Sequence, residues 1–475
     1  MRFNIRHLLP LVLMTFGCGA ESLPPETPVD AADVGTLGGQ HQSMREVTQG
    51  SQALLSGLAD ARLLTGFERE QIIGDIAHYS IRVQVGPGAN DVVVLHRVVR
   101  EWLPWLPVRA TDGAFFVHGD AWDFRGAFMA STLTQTVARD HSVAVYLAQQ
   151  GMDVWGIDLR WTQVPEATQD FSFMKKWNLG THAADVGEGL SLARTVRQLT
   201  GSGNGQLNLV GWSRGAQVTY AYMNEEARLP KGQRHVSGFI PVDLGVKFGP
   251  EAAQQREWAC TRAQVGELLL AQGQYEGSLS GPGAGVTIRS VGQAAINLPD
   301  ITAPTPLPAL PFRQLGRLVG AATFSFLTDA ANNINPSVPF YHFSAGRFGA
   351  DGLPTLQYVN DRQFFDFLAS AHPYQSFTEM VEGEQLLCGK KDLPYDDHLK
   401  DVKVPVLYVG AAGGFGAYGV HSVKQVLGSK DVSVRLVQLN ADAGRLEDFG
   451  HADLWLGNNA KGLVWEPIYK WMKAH

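Results

Sequence analysis

Short apolar runs alternate with longer segments of helical spacing through the first half of the chain and again near its end. The helical segments repeat apolar residues every three or four positions, as at Val186, Leu190 and Ala193. Strands that alternate with helices in this way form a mostly parallel sheet with helices on both faces, so the pattern predicts an α/β fold. The runs predicted as strands are YSIRVQV, VVVLHRVV, GAFFVHGD, MDVWGIDLR, LNLVGWS, VSGFIPVD, VPVLYVG and VSVRLVQL.

The alternation stops after Pro250 and resumes near residue 401. The stretch between carries helical segments and a proline-rich piece, NLPDITAPTPLPALPF, and at about 150 residues it is far longer than an ordinary connection. We therefore predict one core formed by residues 46–250 and 401–475. Residues 251–400 are predicted to be a cap or lid, inserted at the carboxyl ends of the strands, where α/β sheets bind ligands.

The first residues have the features of an export signal. Arg2 and Arg6 precede a mostly apolar run over residues 8–16, which is too short to span a bilayer. The tetrapeptide TFGC that ends at Cys18 resembles the lipobox of bacterial lipoproteins, although leucine is usual where this sequence begins with threonine. We predict an export signal over residues 1–18 with lipid attachment at Cys18; cleavage just beyond Cys18 and release is the alternative.

Residues 19–45 mix Pro, Glu, Asp, Gly and Ser with little periodicity, which is typical of a flexible tether. The expected location is therefore the outer membrane or cell surface of a bacterium, with membrane contact through the lipid anchor. A periplasmic or secreted protein is the alternative.

Composition narrows the class of partner. Apolar residues make up 45% of the chain and charged residues 18%, which is typical of a globular protein. The net charge is −7 and no long run of Lys or Arg occurs, so nucleic acid is not an expected partner.

Two cysteines remain once Cys18 is removed or lipidated. An even pair in an exported protein favours a disulfide between Cys260 and Cys388, and two buried free thiols are the alternative. The two cysteines lack the paired spacing of a zinc site and no HExxH motif occurs, so no metal is predicted. No cofactor is expected either.

The pentapeptide GWSRG, residues 211–215, matches the pattern G-x-S-x-G. It directly follows an apolar strand and opens a helix, as a nucleophile elbow requires, so Ser213 is the predicted nucleophile. A glycine-bounded turn without chemistry is the alternative.

A serine is a poor nucleophile unless a base takes its proton. The best candidate base is His451, in the segment DFGHADLWLG between the last predicted strand and the last helix. A histidine that follows the serine in the chain has the order of the elbow-type hydrolases.

Negative charge that develops on the substrate oxygen would need backbone N–H groups aimed at it. One should come from Arg214, directly after the serine. The second should come from the loop VHGD after the third predicted strand, where the N–H of Asp120, beside Gly119, is the choice. A simple strand-ending turn is the alternative for this loop.

At this point the chain resembles the α/β-hydrolase superfamily. Within it, GMDVWGIDLRWT (151–162), DFSFMKKWNLGTHAADVGEGL (170–190) and GHADLWLG (450–457) resemble the branch of acid lipases and polyhydroxyalkanoate-synthase-related proteins. The resemblance covers roughly residues 110–250 and 400–475. The synthases of that branch carry a cysteine nucleophile, so the serine here implies hydrolysis.

The acid of the triad departs from that pattern. These hydrolases usually place it just after the strand VPVLYVG, where this chain reads AAGGFGAYG without a carboxylate. Some members place it one strand earlier, where this chain has Asp243. Asp442, Glu447 and Asp448 stay open as alternatives, as does a triad without a conventional acid.

The expected function is cleavage of a small-molecule or lipid-like carboxylic ester through an acyl-enzyme. An acyltransferase with the same triad and a non-catalytic surface protein on the same scaffold remain alternatives. The aromatic residues of the insertion suit an apolar substrate, and they suit the core of a cap equally well.

Overall fold

The computed structural model describes residues 64–277, 283–305, 307–323 and 342–475. The predicted export signal, the tether and Cys18 lie outside these residues. No helix within the described ranges is both long and apolar enough to cross a membrane.

One large sheet forms the centre of the described part of the chain. Its strands lie in the order β1-β2-β3-β6-β5-β7-β8-β11-β12, with the short β4 paired to β3. Strands β9 and β10 form a separate hairpin. The strands are β1 Leu64–Ile73, β2 Ile76–Gln84, β3 Val92–Leu103, β4 Leu106–Pro107, β5 Gly113–Val117, β6 Asp153–Asp158, β7 Leu207–Trp212, β8 Val236–Val242, β9 Gly346–Phe348, β10 Pro354–Leu356, β11 Val406–Ala411 and β12 Val432–Val437.

The sheet is parallel from β6 through β5, β7, β8 and β11 to β12, and the pairings that join β1, β2, β3 and β6 are antiparallel. The predicted mostly parallel sheet is therefore confirmed, and each predicted run contains a strand. β1 was not predicted, because its sequence LTGFEREQII carries charged residues at its centre and little of the alternation that marks a half-buried strand.

Helices cover both faces of the sheet. Neighbouring residues of β5 point to opposite faces: Phe116 packs in one buried cluster, while Phe115 and Val117 pack in the other. The helices are α1 Phe124–Phe128, α2 Val143–Gln149, α3 Leu179–Leu199, α4 Arg214–Glu226, α5 Ala253–Ala271, α6 Ala284–Asn297, α7 Phe312–Ala321, α8 Asp361–Ala369, α9 Phe377–Cys388, α10 Asp453–Leu456 and α11 Glu466–Ala474.

The stretch predicted as an insertion runs from the carboxyl end of β8 to the start of β11, which is the neighbour of β8 in the sheet. Its described part contains helices α5 to α9 and the β9–β10 hairpin. A disulfide joins Cys260 in α5 to Cys388 at the end of α9, with Cα atoms 4.6 Å apart.

The order of the strands marks where a site is expected. The chain passes from β5 to β6 on one side and then to β7 on the other, so β5 lies at a switch point of the sheet. In open α/β sheets, ligands bind outside the carboxyl ends of the strands at such a point. Ser213 follows β7 at that edge.

Candidate active site

Ser213 occupies a tight turn between β7 and α4. Its backbone has φ 58° and ψ −129°, a conformation that a residue with a side chain rarely adopts. The N–H of Ser213 donates to the carbonyl of Val242 at 3.0 Å, which ties the turn to the end of β8. Strain of this kind persists only where the surroundings enforce it, and it gathers at functional sites.

The loop that follows β5 lies directly against this turn. A Cβ atom at Gly215 would overlap the carbonyl oxygens of Val117 and His118, so only glycine lets α4 begin this close to β5. A Cβ atom at Gly119 would lie 2.6 Å from Cβ and 3.2 Å from Oγ of Ser213. The backbone of Gly119 therefore borders the serine side chain.

His118 orients that loop. The N–H of Leu159 donates to Nε2 of His118 at 3.0 Å, so the ring proton is on Nδ1, which donates to the carbonyl of Gly119 at 2.9 Å. Burial lowers the pKa of His118, which keeps the ring neutral in this role. Because the peptide unit is planar and trans, the N–H of Asp120 points away from the carbonyl that His118 holds.

The two N–H groups predicted to hold an oxyanion adjoin Ser213 in different ways. Arg214 follows it in the chain and is the first residue of α4, where a backbone N–H has no acceptor within the helix. Asp120 follows Gly119, which touches the serine across the loop. The structure thus brings the loop that carries Asp120 against the turn that carries Arg214.

The side chains of Arg214, Asp120 and Glu384 form a charged cluster. The guanidinium of Arg214 lies 3.1 Å from the Glu384 carboxylate of α9 and 3.6 Å from that of Asp120. Burial raises the pKa of Asp120 to about 6, although the positive charge of Arg214 opposes the shift.

Asp243 directly follows β8, and its carboxylate is fully buried. Its φ is 50°, and its N–H donates to the carbonyl of Val409 at 2.7 Å. One carboxylate oxygen accepts from the N–H groups of Ala411 and Gly416, at 2.8 and 2.9 Å. The other accepts from the N–H of Phe415 at 3.2 Å.

These contacts show why the loop AAGGFG has no carboxylate of its own at the usual place of the triad acid. The loop instead donates backbone N–H groups to the carboxylate of Asp243, which follows the neighbouring strand β8. A Cβ atom at Gly414 would overlap the Asp243 carboxylate, so a side chain at that position would displace the acid.

His451 meets this carboxylate. Its Nδ1 lies 2.7 Å from Oδ2 of Asp243, and both side chains are buried. The imidazole stacks on Trp212, the residue before Ser213, with ring centroids 4.9 Å apart. A ring that donates from Nδ1 to a carboxylate leaves Nε2 as the proton acceptor, which is the arrangement of a general base.

The other acids considered for this place have different partners. Asp448 is buried, and its carboxylate accepts from three backbone N–H groups of its own loop. Asp442 is exposed and accepts from Gln438 at 2.8 Å, and Glu447 lies 3.6 Å from Arg347. The structure therefore brings Asp243, and not one of these three, to Nδ1 of His451.

Sequence reasoning missed one part of this site. Residues 342–345 of the predicted insertion run beside the histidine loop: the N–H of His451 donates to the carbonyl of His342 at 2.9 Å, and that of Ala452 to the carbonyl of Phe343 at 2.7 Å. The segment HFSA matches no motif, and its contacts span about 100 residues of sequence, so a single sequence carries no signal for them. Within the described ranges, no group of His, Cys, Asp and Glu side chains could hold a metal ion.

Fold and site together define the class. A mostly parallel sheet flanked by helices has the architecture of the α/β-hydrolase fold. In it a strained serine lies between β7 and α4, and a carboxylate after the neighbouring strand β8 meets a histidine from the loop that follows β12. Comparison with solved structures agrees. A candidate lipase from Sulfolobus solfataricus superposes with a TM-score of 0.55 at 20% identity, over 86% of this chain and 99% of that one.

More distant likenesses include a monoglyceride lipase from Saccharomyces cerevisiae and an esterase from Thermogutta terrifontis. Their TM-scores are 0.39 and 0.38, both at 12% identity; they cover 86% and 83% of this chain and 94% and 98% of their own. No protein-family model matches the chain, and no curated protein matches its sequence. The acid-lipase and polyhydroxyalkanoate-synthase branch therefore stays a prediction.

Proposed function

We propose that the protein is a serine hydrolase that cleaves carboxylic esters, with Ser213 as nucleophile, His451 as general base and Asp243 as the acid that orients it. One observation carries the proposal. The carboxylate of Asp243 is hydrogen-bonded to an imidazole that stacks on the residue next to a strained, half-buried serine.

In the first half-reaction, Oγ of Ser213 attacks the ester carbonyl carbon while Nε2 of His451 takes its proton. The carbonyl oxygen becomes an oxyanion, which the N–H groups of Asp120 and Arg214 stabilise. The imidazolium returns the proton to the alkoxy oxygen, the bond between that oxygen and the carbonyl carbon breaks, and the alcohol leaves.

In the second half-reaction, a water molecule loses a proton to His451 and attacks the acyl carbon. The bond to Oγ breaks, Ser213 takes the proton back, and the carboxylic acid leaves. Asp243 holds the imidazole in one tautomer and stabilises its positive charge in both halves.

An apolar ester is the substrate class that the surroundings favour. The rings of Phe343 and Phe415 lie 6.1 and 5.6 Å from that of His451, and Phe343 packs edge-on against Trp122 at 5.2 Å. Aromatic walls of this kind suit a hydrophobic acyl or alcohol group. A lipid-like ester therefore fits better than a charged one.

Labelling with a fluorophosphonate probe, combined with hydrolysis of nitrophenyl esters of rising acyl length, tests the proposal. Wild type should be labelled and active, and Ser213→Ala should lose both. Ser131→Ala is the matched control, since Ser131 is a buried serine whose hydroxyl donates to a backbone carbonyl in another part of the core. Wild type that resists the probe, or equal labelling of Ser213→Ala, would refute the proposal.

We also propose that the protein is exported and held at a bacterial membrane through Cys18. The disulfide between Cys260 and Cys388 supports an oxidising compartment. Labelling with a radioactive fatty acid should mark wild type and not Cys18→Ser, which should leave the membrane fraction. A wild type that stays in the cytoplasm without lipid would exclude the proposal.

A further inference from the structure

Two loops and one segment of the insertion meet around His451. The first loop, residues 411–416, holds the carboxylate of Asp243. The second, residues 448–453, carries the histidine. Residues 342–345, called the return segment here, lie between them.

Backbone hydrogen bonds join the three pieces. His342 donates its N–H to Gly413 of the first loop at 3.0 Å, and its carbonyl accepts from His451 of the second loop at 2.9 Å. The side chain of His342 donates from Nε2 to the carbonyl of Asp448 at 3.0 Å. Burial lowers the pKa of His342 to about 4, so this ring stays neutral while it donates.

Asp453 also hydrogen-bonds to both the return segment and the loop of His451. One carboxylate oxygen accepts from the hydroxyl of Ser344 at 2.7 Å. The other accepts from the N–H of Ala345 and from the N–H of Gly450, both at 2.8 Å. Gly450 directly precedes His451, so this carboxylate links the return segment to the backbone that aims the imidazole.

We propose that Asp453 is a positioning residue of the hydrolase: its carboxylate fixes the loop of His451 against the return segment, and so sets where the imidazole lies relative to Ser213. This inference rests on the proposed function. Asp453 and Ser344 are both fully buried, and the carboxylate accepts three hydrogen bonds, so losing it would leave buried donors unsatisfied.

The insertion therefore helps to hold the loop of His451 in place through its return segment. One carboxylate oxygen of Asp453 accepts both from the N–H of Gly450, the residue before His451, and from the N–H of Ala345 in the return segment. A shift of the imidazole by about 1 Å costs on the order of 100-fold in rate, because proton transfer depends on alignment. Substrate binding depends less on this alignment.

The test measures kcat, KM and the rate of fluorophosphonate labelling in folded Asp453→Asn and Ser344→Ala. Asp453→Asn should lower kcat and the labelling rate by about 10- to 100-fold and leave KM within about twofold, while Ser344→Ala should lose about threefold. A loss of packing alone would not separate kcat from KM.

Glu226→Gln is the matched control. The Glu226 carboxylate is equally buried and accepts from the N–H groups of His235 and Val236 at 3.1 and 2.9 Å, but at the amino end of β8, opposite the site. Its kcat should stay within about twofold of wild type. Equal losses in Asp453→Asn and Glu226→Gln, or an unchanged kcat in folded Asp453→Asn, would overturn the inference.

If Asp453→Asn does not fold, Ser344→Ala decides alone, and an unchanged kcat in that variant overturns the inference. Wild type that is neither labelled nor active would instead refute the hydrolase itself. The two failures are therefore distinguishable.

Discussion

Ser213 and His451 reach their positions in opposite ways. The turn of Ser213 lies inside one continuous stretch, where β7 runs into α4. His451 is held by pieces that lie far apart in the chain: the end of β8, the loop 411–416, the return segment and its own loop.

This difference predicts how each region should respond to substitution. A local turn is determined by neighbouring residues and by the strand and helix that it joins. The histidine loop depends on contacts across more than 100 positions of sequence, so substitutions far from the serine should change catalysis without unfolding the protein. The two regions should therefore respond differently to substitution, and single substitutions can test this division.

The largest effect is expected for Asp243→Asn. The amide can accept the N–H bonds of the loop 411–416, but it cannot both do so and accept from Nδ1 of His451 in the same orientation. An imidazole in the wrong tautomer cannot take the proton of Ser213, so kcat should fall about 10⁴-fold. Steady-state kinetics with a nitrophenyl ester measures this.

Asp448→Asn is the comparison for that experiment. Asp448 is also buried and holds its loop through backbone N–H groups. Its replacement should lower the melting temperature and leave kcat within about tenfold. A fall in Asp448→Asn as deep as that in Asp243→Asn would show that the acid had been assigned to the wrong residue.

Removing the disulfide tests whether the turn of Ser213 is as local as the sequence suggests. Replacing Cys260 and Cys388 with serine should lower the free energy of unfolding by about 2–5 kcal/mol, because the bond closes a long loop. Denaturant unfolding measures the loss. Since the turn of Ser213 is local, the labelling rate of folded protein should change by less than about twofold.

The labelling rate of the double cysteine variant tests whether the turn of Ser213 depends on the insertion. Helix α9, which the disulfide ties to α5, also carries Glu384 against Arg214. A large fall in the labelling rate of the folded double variant would mean that the serine turn depends on the insertion as much as the histidine does.

The fold could be predicted because its signals are local. Strand runs such as GAFFV and LNLVGW are continuous and apolar, since both faces of a parallel sheet are buried. β1 was not predicted because an edge strand can pair with β2 without a clear pattern of apolar residues. The serine was equally accessible to sequence reasoning, since its turn is encoded by the pentapeptide around it.

The acid and the return segment were not accessible in this way. Asp243 was one of several candidates, because no pattern in the sequence tells which carboxylate faces His451. What selects it is the parallel pairing of β8 with β11, which brings the loop 411–416 over the end of β8. Asp453 and Ser344 meet across 109 positions, and only the folded chain brings them together.

Gly414→Ala probes the same support by steric means. The added methyl would overlap the Asp243 carboxylate, which must move or turn. We expect kcat to fall about 10- to 100-fold with a smaller effect on KM, since the imidazole loses its alignment. Gly203→Ala is the steric control for a surface turn: it has φ 79° and no atom near its Cβ position, so it should cost stability without affecting kcat. An active Gly414→Ala would show that the acid tolerates displacement.

The smallest effect is expected for Asp120→Asn, and it depends on pH. The folded-state pKa of Asp120 is raised by burial to about 6, with Arg214 opposing and Glu379 and Glu384 adding to the rise. A raised carboxyl pKa means that this group favours the folded state below its unfolded pKa and loses that contribution as pH rises through about 6. The neutral amide should therefore match wild type near pH 4 and gain relative stability towards pH 7.

Melting temperatures of both proteins between pH 4 and pH 7 test this sign. A difference in melting temperature that is constant with pH would mean that Arg214 fully compensates the charge of Asp120, and that the loop beside Ser213 is insensitive to that charge.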